Sequence, residues 1–245
     1  MQSKLIKIGE AAELLGVSID TLRRWDRSGK FPSVRTGDRG YRFYRFSDIE
    51  FKLNSVSNHR NLSREWAQSP GGFLLDSQLH CRTRDVFQAR LETLQSQLVR
   101  IIPIEIVSLV IAVAGEIGNN SFDHNLGNWS DMMGIFFYYD EKNRSIILAD
   151  RGQGILSTLK RVKPELDSDK KALRVAFTEI ISGRHPEARG NGLKFVKSVI
   201  VNNPFLLDFQ TGNAFLHLKQ NDKKLSIQEV STIIKGCFAT IKIKK

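Results

Sequence analysis

The sequence predicts an α+β chain in two parts, a small basic helical head followed by a larger α/β body. Three observations predict it. Residues 5–53 form one turn-punctuated unit with two short helical stretches, a glycine-tipped hairpin and many arginines. Beyond it, helical spacing gives way to strand-like apolar runs. Finally, EIGNNSFDH (116–124), DRGQGI (150–155) and RGNGL (189–193) fall in order on a helix, a strand end and a helix start.

The bounds agree. At 245 residues the chain holds one large or two modest domains. The reading places the head at residues 1–55, a linker with a connecting helix at 56–100, and the body at 101–245. A net charge of +11 favours an anionic partner, most simply nucleic acid. No apolar run reaches the ~18 residues of a membrane span, and the longest, Ile101 to Ala114, reads as a buried helix. The start lacks the apolar stretch of a signal peptide. Cys81 and Cys237 lack metal-ligand spacing and are expected as free thiols in a reducing cytoplasm.

In the head, Ala11, Ala12, Leu14 and Leu15 give a short helix, Gly16 a sharp turn, and Ser18 an N-cap for a second helix. Leu22 and Trp25 should face that unit's core, leaving Thr21, Arg23, Arg24 and Arg27 outward. A hairpin tipped by Gly40 follows, with Arg35, Arg39, Tyr41, Arg42 and Arg45. Such a wing would set guanidinium groups against phosphates while helix residues reach base edges.

Residues 54–72 are polar, end in Ser-Pro-Gly-Gly and read as a connector; residues 73–102 read as helical. Phe87, Leu91, Leu94 and Leu98 form an apolar seam, which suits either a dimer contact or packing on the chain's own sheet. Pro103 opens a helix through Phe122. Strands are expected at 134–139, 145–149, 205–209, 214–218 and 237–243, and helices after Gly192 and near 227–234.

The three strings carry chemistry. Glu116 and Asn120, four apart, share one helix side, and His124 lies a further turn on. An amide oxygen suits Mg²⁺, a carboxylate can activate water, and the His could reach a phosphate. Asp150 ends a strand, where it can accept from an exocyclic amine. Gly152 and Gly154 admit close backbone approach, and Gly190 and Gly192 precede a helix whose amides suit phosphate.

Two resemblances follow. GVSIDTLRRWDRSGKFPSVRTGDRGYRFYRFSDIE resembles the winged helix-turn-helix of the MerR superfamily, in its excisionase and transposase-resolvase branch. That implies binding of double-stranded DNA through Ser18, Thr21, Arg23, Arg24, Arg27, Arg35, Arg39, Tyr41 and Arg42, commonly as a homodimer. The three strings resemble the boxes of the GHKL superfamily of gyrase, MutL and histidine kinases. This implies a two-layer α/β sandwich of GHKL type holding ATP and Mg²⁺. Asn120 would hold the metal, Glu116 would be catalytic, and Asp150 would read adenine. Gly152, Gly154, Gly190, Gly192, His124 and Leu193 would line the nucleotide site. Residues 156–189 would be its lid, with Arg184 and Arg189 near the terminal phosphates. The ending resembles the anti-sigma branch.

Asn213 stands where many members have a Thr after Gly; Thr211 is close. His80 lacks the acidic neighbour of a phosphoacceptor box, and no distal catalytic Lys is evident, which argues against a histidine kinase or topoisomerase role. The expectation is a cytoplasmic DNA-binding transcriptional regulator whose DNA binding is modulated by ATP binding or hydrolysis. The alternatives are an anti-sigma-type serine/threonine protein kinase acting on a protein partner, and a DNA-linked ATPase of a mobile element or defence system.

Overall fold

The computed structural model describes residues 4–15, 18–29, 31–37, 40–180 and 191–244, with the backbone alone for 50–58. The expected turn at Gly16 and the wing residue Arg39 lie outside the described residues. The chain divides into two compact units at His59/Arg60.

The first unit holds β1 (Leu5–Lys7), α1 (Ile8–Leu15), α2 (Ile19–Arg27), β2 (Val34–Thr36), β3 (Tyr41–Arg45) and the start of α3 (Phe46–Gln68). Its antiparallel sheet runs β1-β3-β2. The Ser18 hydroxyl accepts from the Thr21 amide at 3.1 Å and so caps α2. Ala11, Ala12, Leu22, Phe31, Tyr44 and Ile49 close a small core. Trp25 is half-buried at its edge, meeting Phe31 edge-on.

The second unit holds β4 (His80–Cys81), α4 (Arg84–Leu98), α5 (Ile104–Asn125), β5 (Ile135–Asp140), β6 (Ser145–Asp150), α6 (Gly154–Leu159), α7 (Asp169–Thr178), α8 (Gly192–Asn202), β7 (Phe205–Lys219) and β8 (Ser226–Ile243). The sheet is antiparallel throughout in the order β4-β5-β6-β8-β7. Alternate strand residues face opposite sides. Ile135, Phe137, Ile146, Leu148, Ala239 and Ile241 meet α4, α5, α7 and α8 on one side. Phe136, Ile147, Ala149 and Phe238 meet Trp66, Ala67 and Leu79 on the other. The result is an α/β sandwich with a second, smaller core on the back of its sheet.

Several elements depart from expectation, each for a tertiary reason. The polar stretch expected as a connector is the end of α3, held because Trp66 and Ala67 are buried. Residues 60–100, expected as linker and connecting helix, supply Trp66, Leu79, Cys81, Phe87, Leu91 and Leu94 to the two cores. Residues 226–236 are strand rather than helix: a β-branched run pairs along β7, with Leu216 opposite Ile227 and Ala214 opposite Glu229. The two late strand runs are one strand, β7, with an irregularity between Thr211 and Ala214. Phe87, Leu91, Leu94 and Leu98 are all buried in the helix-side core, so the seam serves its own unit and not a second copy. His80 is buried too, its Nε2 3.0 Å from the Met133 carbonyl, and desolvation holds its pKa down. Helix α5 is long and apolar enough to cross a bilayer, but Val107, Val110, Val113, Ala114 and Ile117 lie in the core.

Candidate functional site

In the first unit, α2 carries Arg23, Arg24 and Arg27 on its exposed side, with Thr21 half-buried and Ser18 exposed at the cap. Arg23 pairs with Asp20 at 2.9 Å. Tyr41, at 58% exposure, opens β3 beyond the turn that Gly37 and Gly40 close. Arg35 and Arg42 are tied down: Asp26 accepts from Arg35 at 2.9 Å and from Arg42 Nε at 2.7 Å. Ser33 donates to the same carboxylate through its amide and its hydroxyl. Burial would raise the Asp26 pKa, but Ser33, Arg42 and Arg35 together hold it well below the usual carboxylate range. The two arginines thus fasten the wing to the end of α2 before any ligand arrives. Tyr44 adds a hydroxyl bond to the Leu22 carbonyl at 3.3 Å.

In the second unit, Glu116, Asn120 and His124 follow one another along one side of α5, all half-buried. Asn119 turns away and accepts from Gln88 Nε2 at 2.8 Å. Glu116 lies against the first residue of α8, since a Cβ on Gly192 would overlap its carboxylate. A carboxylate at a helix N-terminus is favoured by the amides and dipole there. Leu193, half-buried, packs on the helix-side core.

Asp150 ends β6 at 2% exposure and points into the helix layer. The Ser121 hydroxyl donates to it at 2.8 Å and the Gly152 amide donates at 2.8 Å. Burial still dominates, pushing its pKa up to about 6 against those bonds and one from the Cys237 amide. Asn125 fixes the adjoining turn: its Nδ2 donates to the Ser121 carbonyl at 2.7 Å and its Oδ1 accepts from the Gln153 amide at 2.9 Å. The carbonyl of His124 accepts from Gln153 Nε2 at 3.4 Å. Gly154 has φ +74°, and Thr211 accepts from the next amide, Ile155, at 3.1 Å.

The late glycine beside Asp150 is Gly236, not Gly212. At φ +66° its backbone runs so close that any Cβ would strike the Asp150 carboxylate and the Gly152 amide. Cys237 follows it, with its thiol pKa raised by burial and by Asp150. Gly212 instead abuts the Asp169 carboxylate. A polar cavity of about 370 Å³ opens on this turn, bounded by Gly152, Gly154, Ser157, Asp169, Gly212 and Gly236. Glu116, Asn120, His124 and Asp150 do not border it.

The fold therefore brings Glu116 to Gly192, and Asp150 to Gly152. Arg184, Arg189 and Gly190 lie outside the described residues. Ser121, Asn125, Thr211, Gly236 and Cys237 were not singled out as site residues. Ser121 and Asn125 stand four apart inside and just past EIGNNSFDH, a spacing that could have flagged them.

Residues 7–44 match the model for MerR family regulatory proteins. Over 50 residues the chain is 47% identical to the type II methyltransferase M.Eco47II of Escherichia coli, and over 48 residues 46% identical to the transcriptional repressor DcmR of Methylorubrum extorquens. Each alignment takes in 20% of this chain, and 12% and 18% of those proteins respectively. The chain thus spans less than a fifth of the length of either relative. A topoisomerase IV ATP-binding domain of Francisella tularensis, in complex with a small-molecule inhibitor, overlaps 53% of this chain and 34% of its own. The identity is 19% and the TM-score 0.33, at which the likeness assigns nothing. Residues 7–44 of the first unit are a MerR-type helix-turn-helix domain.

Proposed function

We propose that the chain is a DNA-binding transcriptional regulator whose second unit binds Mg-ATP and modulates the grip of the first on DNA. The observation that supports this most is the assembly around Asp150. A buried carboxylate at a strand end faces a helix that also carries Glu116 and Asn120, and is framed by Gly152 and Gly236 with no room for a Cβ. Such a carboxylate can accept from the exocyclic amine of a purine. Adenine is such a purine.

The chain's residues fit the metal as well. Among the described residues no three His, Cys, Asp or Glu side chains gather at one point. A divalent ion would be held by Asn120, with phosphate oxygens and water completing the shell, which is how Mg²⁺ prefers to bind. Glu116, one turn earlier, would orient or deprotonate the attacking group, and the α8 amides would face phosphate. Bound nucleotide supplies negative charge and a purine; the chain supplies position.

On the DNA side, Arg23, Arg24 and Arg27 would reach bases and phosphates from α2. Tyr41 and the pinned wing would meet the backbone alongside. This reading sets the protein in the cytoplasm with the nucleic acid it controls.

Duplexes selected from a random pool at low salt test the reading, with gel shifts run with and without Mg-ATP. Mg-ATP should move the apparent affinity at least about fivefold, and Asn120→Ala should abolish both that shift and the calorimetric heat of Mg-ATP binding. Failure to retain any duplex ends the regulator reading. Unchanged Mg-ATP heat in Asn120→Ala ends the assignment of the site.

A further inference from the structure

Asp150 and Arg151 are consecutive, and the alternation of β6 sends them to opposite faces of the sheet. Asp150 enters the helix layer, where Ser121 bonds it. Arg151 enters the smaller core behind the sheet and is wholly buried, stacked near the Trp66 ring at 5.7 Å from its centroid. Its donors find four acceptor contacts at 3.1 Å or less. Nε donates to Asp131 Oδ1 at 3.1 Å, and Nη2 to Asp131 Oδ2 and to the Ser69 carbonyl, each at 2.6 Å. Nη1 donates to the carbonyl of Trp66.

That last bond has a reason in the sequence. The final carbonyls of a helix have no amide within the helix to receive. For Trp66 the residue four ahead is Pro70, which has no N–H at all. Arg151 completes the end of α3 in its place. A second cation converges on the same spot: Lys235 Nζ lies 3.0 Å from the Pro70 carbonyl and 2.9 Å from Asp131 Oδ2. Lys235 directly precedes Gly236, the residue packed on the Asp150 carboxylate. Two side chains, each next in sequence to a residue that touches the adenine-side carboxylate, thus hold the end of one helix. Upstream, Arg60 and Arg64 fasten the preceding turns to Asp208 at 2.7 Å and Gln210 at 3.2 Å. Helix α3 begins at Phe46 in the MerR-type unit and ends at Gln68 in the other, so it is the covalent link between them.

We propose that Arg151 is a coupling residue: occupancy of the site at Asp150 and Gly152 is transmitted through its guanidinium to the C-terminal turns of α3, the helix that issues from the DNA-binding unit. The proposal rests on the nucleotide-site reading. A plain staple would hold α3 equally with and without nucleotide; a coupling residue changes its hold when the turn on either side of it is engaged.

Hydrogen exchange on the full chain separates the two. Adding a non-hydrolysable ATP analogue with Mg²⁺ should slow the amides of residues 64–69 at least about fivefold. Arg151→Lys keeps the charge but loses the planar fork that reaches Asp131 and two carbonyls together. It should bind the analogue within about threefold of wild type by calorimetry, yet show no slowing in that segment. Slowing that survives in Arg151→Lys overturns the proposal. If Arg151→Lys does not fold, Arg151→Gln, which needs no countercharge and reaches at most one of the two carbonyls, carries the same expectation and the same overturning result. Analogue bound by wild type without any change at residues 64–69 overturns the coupling alone. No calorimetric binding by wild type overturns the nucleotide-site reading and the coupling with it.

Discussion

Each unit gathers two cations on one aspartate, and the two clusters do opposite things with the same charges. In the first unit Asp26 holds Arg35 and Arg42, whose side chains are 52% and 25% exposed. In the second, Asp131 holds Lys235, 40% exposed, and Arg151, which is fully enclosed. Water can take over from Asp26 when a partner leaves, because both arginines reach solvent. Water has no such access to Arg151, which is fully enclosed and also donates to the Trp66 and Ser69 carbonyls. An ion pair at a surface is close to neutral for stability, whereas breaking one in the interior strands a charge. The lesson is that burial of the cation, not the number of pairs, decides which cluster the fold depends on.

Removing the cation is the most direct way to break that contrast. Arg151→Ala should destabilise the second unit by about 3–5 kcal/mol, while Asp26→Ala should cost the first unit only about 1–2 kcal/mol. Urea denaturation followed separately at the two units measures both. Equal losses would mean the enclosure of Arg151 is immaterial.

Next in size is a pH effect confined to the second unit. The Asp150 pKa is about 6 in the fold against an ordinary 3.8, so the folded state holds its proton more tightly than the unfolded one. Stability from this group is greatest below pH 4 and falls as pH rises through 6, by roughly 3 kcal/mol in all. Asp131 runs the other way. Its bond from Arg151 lowers its pKa to about 2, so its contribution is constant above pH 4 and is lost only as pH falls through 2. The windows do not overlap. Asp150→Asn should therefore flatten the stability of the second unit between pH 4 and 7, and a slope identical to wild type would refute the burial argument.

The smallest effect belongs to the first unit. Ser18→Ala removes the cap of α2 and should lower that unit's melting stability by about 1 kcal/mol, with Ser18→Asp restoring most of it. A loss as large as that of Arg151→Ala would show that the head, too, rests on a single residue.

The units also differ in how much of each can be read from sequence. In the head, most signals are local: Ser18 sits three residues from the amide it caps and Asp26 sixteen from Arg42, although β1 reaches across to β3 by pairing Leu5 with Arg45. In the body, β5 and β6 are readable because alternate apolar residues line two faces. The rest depends on partners far away in sequence. Ile227 and Ile234 have helical spacing, yet β7 recruits them into a strand. A polar run before Ser-Pro-Gly-Gly looks like a tether until Trp66 finds Phe238 and its neighbours behind the sheet. The TGN stretch at 211–213 marks a family position in the sequence, yet in the fold Gly212 lies against Asp169 and Gly236 against Asp150. No local pattern says that Gly236 lies against Asp150, because the contact joins strands far apart in the sequence. Asp150, Glu116 and Asn120 were named from their strings, but what surrounds them was not.

The place of β8 carries one last consequence. It follows every other described strand, yet it lies between β6 and β7. As the polypeptide leaves the ribosome, the head can fold on its own local contacts while the body waits. β5 and β6 can form a hairpin early, but β7 has no neighbour until β8 is made and inserted. Gly236 arrives with that same strand, so the wall behind Asp150 forms only after β4 to β7 have been made. A nascent chain would therefore present a finished first unit before the surroundings of Asp150 in the second could form.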